Sequence, residues 1–258
     1  MKQSLYVITH KEVENIFPKD RKIMMVGAKD KQAPTEYYKD YEKNKENISA
    51  KNKNFCELTG LYYFVKNDND SDVLGLEHYR RLFIKRKLYL FKFPFLTYKD
   101  VDRILSKNDI IIPKPTYLKE TLFEQYSKDH VKDDLIKVGE IIKEKYPDYS
   151  LTFDEVLNKN KVYLCNMFIA KKQIIVEYCN WLFDILFELE KRIDVSNRDS
   201  YQQRVFGFLS ERMFTIWLEK HKEFKKYESH IDFIEGKPFK NILNKIGRKF
   251  KKLFKKCN

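Results

Sequence analysis

The chain is expected to fold as one α/β domain, because strand-like segments alternate with helix-like ones and such alternation builds a mostly parallel sheet flanked by helices. Two further observations support that class. The 258 residues are 43% hydrophobic and 15% aromatic, enough apolar material for a sizeable core despite 34% charged residues. No internal repeat or low-complexity linker interrupts them, and the single composition break falls near Gly236. This divides the sequence into a folded part, 1–236, and a basic tail, 237–258.

The elements follow in order. SLYVITH (4–10) and RKIMMVGA (21–28) are rich in β-branched or bulky apolar residues and stop at polar or glycine positions, as strands do. From 47 to 67 the period changes: Phe55, Leu58, Tyr62 and Val65 recur at helical spacing, with Ser49 or Asn52 available as a cap. SDVLGLEHY (71–79) is the next strand, and TYKDVDRIL (97–105) a helix opened by Thr97 and Asp100 in a variant capping arrangement. NDIIIPKP (108–115) is a strand stopped by Pro113 and Pro115. KDDLIKVGEIIKEKY (132–146) is an amphipathic helix, and KVYLCNMFIA (161–170) a buried strand. The longest helix is KQIIVEYCNWLFDILFELEKRI (172–193), with Ile174, Tyr178, Trp181, Ile185 and Leu189 on one side.

Composition narrows the function classes. No apolar run reaches the roughly 18 residues of a spanning helix, and MKQSLYVITH lacks a signal-peptide core, so a cytoplasmic protein is expected. Cys56, Cys165, Cys179 and Cys257 form no CxxC pair and have no close histidine partners, which suggests neither a zinc site nor a disulfide framework. The formal charge of +13 calls for an anionic partner, yet nine Lys/Arg and no Asp/Glu lie within 237–258. There Ile242, Leu243, Ile246, Phe250, Leu253 and Phe254 make one helical stripe among the cations, the pattern of a helix lying flat on an anionic membrane surface. The alternative is a terminal helix docked on its own domain.

Ligands of open α/β sheets bind at the carboxyl ends of strands. Three polar clusters fall at such positions: Thr9-His10-Lys11, His78-Tyr79-Arg80-Arg81, and Asn166. Gly27 permits close backbone approach after the second strand. Asn47, Ser49 and Asn52 precede a helix start, where exposed N–H groups hold anions or sugar hydroxyls, although capping explains Ser49 or Asn52 equally well.

The stretches NISAKNKNFCELTGLYYFVKN, VLGLEHYRRLF, YLCNMFIAKK and DSYQQRVFGFLSERM resemble a family of bacterial capsular and exopolysaccharide glycosyltransferases long catalogued as a domain of unknown function. The likeness covers about residues 4–220. It implies a GT-A-like fold, a nucleotide-sugar donor and a polysaccharide-repeat acceptor. Some members look like galactofuranosyltransferases, so UDP-galactofuranose, or a UDP-galactose, becomes a candidate donor. The resemblance further places Thr9, His10 and Lys11 where the nucleotide would sit.

Such a transfer must stabilise the charge growing on a leaving diphosphate, through a divalent metal (Mg or Mn) on an Asp-x-Asp motif or through Arg, Lys and His directly. The strand ending in HYRR carries no Asp-x-Asp, so His78, Arg80 and Arg81 are candidates to replace or assist a metal. Because adjacent strand residues face opposite ways, both cannot face one ligand while the strand persists; Arg80, in phase with His78, is preferred, and one of the two could instead be a buried ion-pair partner of Glu57 or Glu77. Asp68-Asn-Asp70 and Asp70-Ser-Asp72 precede the strand and suit a solvated turn. An inverting transfer also needs a base. Glu211 is the first candidate and Asp199 the second, with Asn166 and Arg204 on the acceptor side; the bland reading pairs Glu211 with Arg204 or Arg212. The expected partners are a UDP-sugar, a lipid-linked glycan and the inner membrane face. A non-enzymatic nucleic-acid- or anionic-surface-binding protein is the alternative, weakened because no nucleic-acid motif occurs in the folded part.

Overall fold

Residues 1–14, 17–86 and 94–234 are described by a computed structural model. The expected amphipathic tail, 237–258, lies outside the described residues. Strand β1 (Gln3–Thr9) is buried along its whole length, as its apolar composition demands of a central strand. It pairs in parallel with β2 (Arg21–Met25), which pairs in parallel with the short β3 (Tyr38–Lys39). The predicted helix over 47–67 is broken into α1 (Asn52–Phe55) and α2 (Leu58–Asn67), with Cys56 at φ 52 between them. Strand β4 (Val73–His78) lies parallel to β1 on its other side. Strand β5 (Arg81–Ile84) returns antiparallel to β4 after only two residues.

The helix after Thr97 is α3 (Tyr98–Leu105), opened by the capping box that Thr97 and Asp100 complete, a device worth about 1 kcal/mol. Strand β6 (Ile110–Pro113) ends at its proline, and β7 (Thr116–Tyr117) follows it. Three helices come next, α4 (Leu122–Asp129), α5 (Lys132–Lys145) and α6 (Ser150–Leu157). Strand β8 (Lys161–Val162) pairs with β7, and β9 (Phe168–Lys171) leads straight into α7 (Lys172–Arg192). Helix α8 (Val205–Lys220) and strand β10 (Lys226–Phe233) complete the described chain.

The main sheet runs β3-β2-β1-β4-β5-β10-β6-β9, with β9 also pairing with β4. It is mixed, which corrects the expectation of a mostly parallel sheet. Pairs β1–β2, β1–β4, β2–β3 and β6–β10 are parallel, while β4–β5, β5–β10, β4–β9 and β6–β9 are antiparallel. The physical reason is connection length: two residues between β4 and β5 can close only a hairpin, because a parallel return needs a crossover of a dozen or more.

Alternation along β1 divides the core. Tyr6 and Ile8 face the large cluster formed with α1, α2, α5, α7 and α8, whereas Leu5 packs toward α3 on the other face. Helix α2 sits close because Gly60 carries no side chain; a Cβ there would stand 2.8 Å from Ile8 Cδ1. At the sheet centre the fully buried Arg21 and Glu77 side chains are ion-paired, and Arg21 also donates to the Leu96 carbonyl at 2.8 Å. Glu77 is therefore Arg21's partner, not Arg81's. Removing one member of such a pair typically costs about 3–5 kcal/mol, since the other remains charged and buried.

Candidate active site

The carboxyl ends of the parallel strands β1, β2 and β4 open together into a cavity of about 530 Å³. Thr9 and His10 enter from β1, Val26 from the end of β2, and His78 from β4. Both arginines of HYRR line the same cavity. The strand does not persist past His78, which corrects the expectation that only one arginine could face a ligand: Tyr79 and Arg80 form the two-residue turn that pairs His78 with Arg81, so the chain reverses and both arginines line the cavity. Lys31, Lys53 and Arg204 add three more cations, and Glu57 and Glu211 supply two carboxylates. The cavity is therefore rich in fixed positive charge.

The histidines do not contribute to that charge. Burial, above all, holds His78 below the usual imidazole range. Its Nε2 lies 2.6 Å from the Cys165 carbonyl, which can only accept, so Nε2 carries the proton and donates. His10 is likewise lowered, first by burial and then by Lys31, Lys11 and Arg80. Burial pushes the thiols of Cys56 and Cys165 up to about 11, so neither lining cysteine is a ready thiolate.

One turn organises the carboxylates. The sequence predicts an unbroken strand over 161–170, but Cys165 and Asn166 adopt positive φ, 80 and 46, and regular pairing resumes only at Phe168. Asparagine is among the few residues that tolerate this conformation. The Cys165 N–H then donates to Glu211 Oε1 at 2.7 Å, while buried Asn166 donates from Nδ2 to Glu57 Oε1 at 2.7 Å and to Ser210 Oγ at 2.7 Å. Arg212 donates to the other Glu211 oxygen at 3.1 Å. Burial raises the Glu211 carboxyl above its ordinary range, although Arg212 and the Cys165 N–H oppose it. With Cys56, these are the non-glycine residues of positive φ among the described residues, and all three border or brace the cavity.

The remaining expected site residues divide by position. Asn52 lines the cavity and donates to the Cys56 carbonyl at 2.7 Å. Gly27 stands behind it at φ 66, where a Cβ would meet Asn52 Oδ1 at 2.8 Å. Ser49 donates to buried Asp40 at 2.7 Å, and Asp40 also accepts the Gly27 N–H at 2.8 Å, so Ser49 braces the loop from behind. Asn47 accepts from the Ser49 N–H at 3.3 Å and stays in its own turn. Lys11 does not line the cavity; its N–H donates to Thr9 Oγ1 at 3.2 Å and its ammonium sits 5.7 Å from the Tyr79 ring. Asn166 is a brace for Glu57. Asp199 accepts from the Tyr201 and Gln202 N–H groups at 2.8 and 2.9 Å, a turn-capping position next to lining Ser200.

Asp68, Asp70 and Asp72 stand at the opposite end of β4, where Asp68 accepts from Tyr6 at 2.9 Å and Asp72 from the Lys2 N–H at 2.8 Å. Among the described residues no three His, Cys, Asp or Glu side chains gather as a metal site. Of the lining residues, Lys31 and Lys53 carry no signal in the sequence pattern, Tyr79 belongs to the polar cluster expected at the end of the strand, and Glu57 was expected only as an ion-pair partner. Glu57 had one usable signal, its place between Cys56 and a run of apolar residues.

Residues 4–222 match the family model described as a domain of unknown function, DUF4422. A solved structure, the apo form of the bifunctional glycosyltransferase WbbM, matches 93% of the chain at 25% identity with a TM-score of 0.82. The match covers 46% of that protein, so this chain spans less than half its length. No curated protein matches the chain.

Proposed function

The chain belongs to the DUF4422 family, and on that footing we propose that it is a glycosyltransferase using a UDP-sugar, with galactofuranose or galactose the candidate sugar. The observation that carries the reading is the cationic cavity at the carboxyl ends of β1, β2 and β4, with the half-buried carboxylate of Glu211 on its wall. The likeness to a bifunctional glycosyltransferase supports it.

In this reading the donor's diphosphate lies against Arg80 and Arg81. The acceptor oxygen bonds to the anomeric carbon as the carbon–oxygen bond to the diphosphate breaks, with inversion. The hydroxyl proton passes to Glu211, and the bonding pair leaves on UDP, where the guanidinium groups meet the growing charge. Glu57 is held through Oε1 by Asn166, and Glu211 by the Cys165 N–H and Arg212, so both carboxylates already have positioning partners in the protein while the cavity supplies its own cations. The charge that grows on the diphosphate is met by the cavity's own guanidinium and ammonium groups. The acceptor is a lipid-linked repeat of a capsular or exopolysaccharide. The basic sequence of 237–258 suits an anionic membrane surface, and no helix among the described residues is long and apolar enough to cross a membrane.

The test is ligand-induced thermal stabilisation with UDP and a panel of UDP-sugars, since a bound ligand stabilises the folded state by mass action. UDP should raise the melting temperature of the parent and do so at least about tenfold less potently in Arg80→Ala. No shift with any UDP compound, or an equal shift in the variant, refutes the assignment.

A further inference from the structure

A second cavity, about 250 Å³, shares Glu57, Arg204 and Glu211 with the first. Its chemistry differs. Only Arg204 and Arg212 bring positive charge to it, against Glu57, Asp129 and Glu211, so it is a poor place for a phosphate. Its other distinctive side chains are aromatic. His130 stacks on Phe208 at 4.1 Å between ring centroids, and Tyr201 leans on the same phenyl at 4.9 Å. Tyr201 is 51% exposed, an uncovered aromatic surface beside a polar pocket. Arg212, only 4% exposed, lines the pocket with its Nε–H unpartnered.

We propose that this second cavity is a saccharide subsite, taking one ring of a neutral glycan that packs its C–H face on Tyr201 and directs a hydroxyl to Glu211. The geometry of sharing is the reason. Glu211 lines both cavities, so a ligand in the second and an anion in the first would share this one carboxylate. The electron-rich face of a phenol attracts the weakly positive C–H bonds of a sugar ring, and Gln125, which accepts from Arg212 and donates one amide N–H to Asp129 at 2.6 Å, has a second amide N–H for the sugar's hydroxyls. The volume, below the roughly 300–1,000 Å³ of sites for drug-sized ligands, suits about one ring. The inference rests on the donor reading of the first cavity for its meaning as an acceptor site, but its binding claim can be tested alone.

The experiment is saturation-transfer NMR on the full chain with the methyl glycosides of galactose, glucose, N-acetylglucosamine and rhamnose, with and without saturating UDP. At least one glycoside should receive saturation, keep it in the presence of UDP, and bind about tenfold more weakly to Tyr201→Ala than to Tyr201→Phe. UDP-induced stabilisation should be the same in both variants, which also reports that they are folded. Glycoside binding equal in the two variants, displaced by UDP, or missing for the whole panel in protein that binds UDP overturns the subsite. Glycoside binding that depends on Tyr201 in protein that ignores UDP upholds the subsite and overturns the donor reading instead.

Discussion

Glu211 is held by the Cys165 N–H and Arg212, both of which favour its ionised form, yet burial outweighs them and lifts its proton affinity. A base of this kind works only when deprotonated. With Glu211 as base, kcat/KM should rise with pH along a limb displaced upward from the roughly 4.3 of an ordinary glutamate, because the folded carboxyl keeps its proton to higher pH. Glu211→Gln should lower turnover by two or more orders of magnitude, about the range of a lost general base, while leaving UDP stabilisation in place. A pH–rate profile and a melting series check both; an unshifted limb, or full activity in the glutamine variant, removes Glu211 from the role. At this scale the sequence was informative about residue identity. A carboxylate between polar Ser210 and Arg212 in the otherwise apolar GFLSERMF pointed to Glu211, but nothing local revealed that Cys165, forty-six positions away, supplies its N–H.

At the scale of elements, period and capping made β1, β2, β4, α3, α5 and α7 legible, because each buries one regular set of apolar residues. Strand β10 was not legible: KYESHIDF is mostly polar, and it becomes a strand because β5 and β6 hold it from both sides. The break at Cys165-Asn166 escaped for a related reason, since apolar composition hides a turn imposed by partners in other elements. That turn permits a separation of backbone from side chain. Asn166→Gly keeps the left-handed conformation but frees Glu57; Asn166→Ala does that and adds about 1–2 kcal/mol of backbone strain. Denaturant melts should therefore rank parent, glycine and alanine variants in falling stability, with transferase activity reduced in both. Alanine at least as stable as glycine would contradict the left-handed geometry.

The whole molecule joins a parallel half, β3-β2-β1-β4, to an antiparallel return through β5 and β9, and the cavity lies where these halves meet. Charge is distributed on the same scale. Nine of the basic residues lie in 237–258, so deleting that segment should abolish binding to vesicles containing anionic lipid while UDP stabilisation of the remainder persists. Co-sedimentation measures the first and a melting curve the second; vesicle binding that survives the deletion places the membrane contact elsewhere, and preferential RNA binding by the parent would favour the nucleic-acid alternative. By itself the sequence determined the α/β class, the principal strands and helices, the basic bias of the tail and the polar clusters at strand ends, because these depend on local period and composition. Only the tertiary structure decided that the sheet is mixed, that both arginines of HYRR face one cavity, and that Glu57 and Glu211 are oriented by one turn. Those outcomes depend on connection length and on contacts between segments far apart in the chain, which no local pattern of residues encodes.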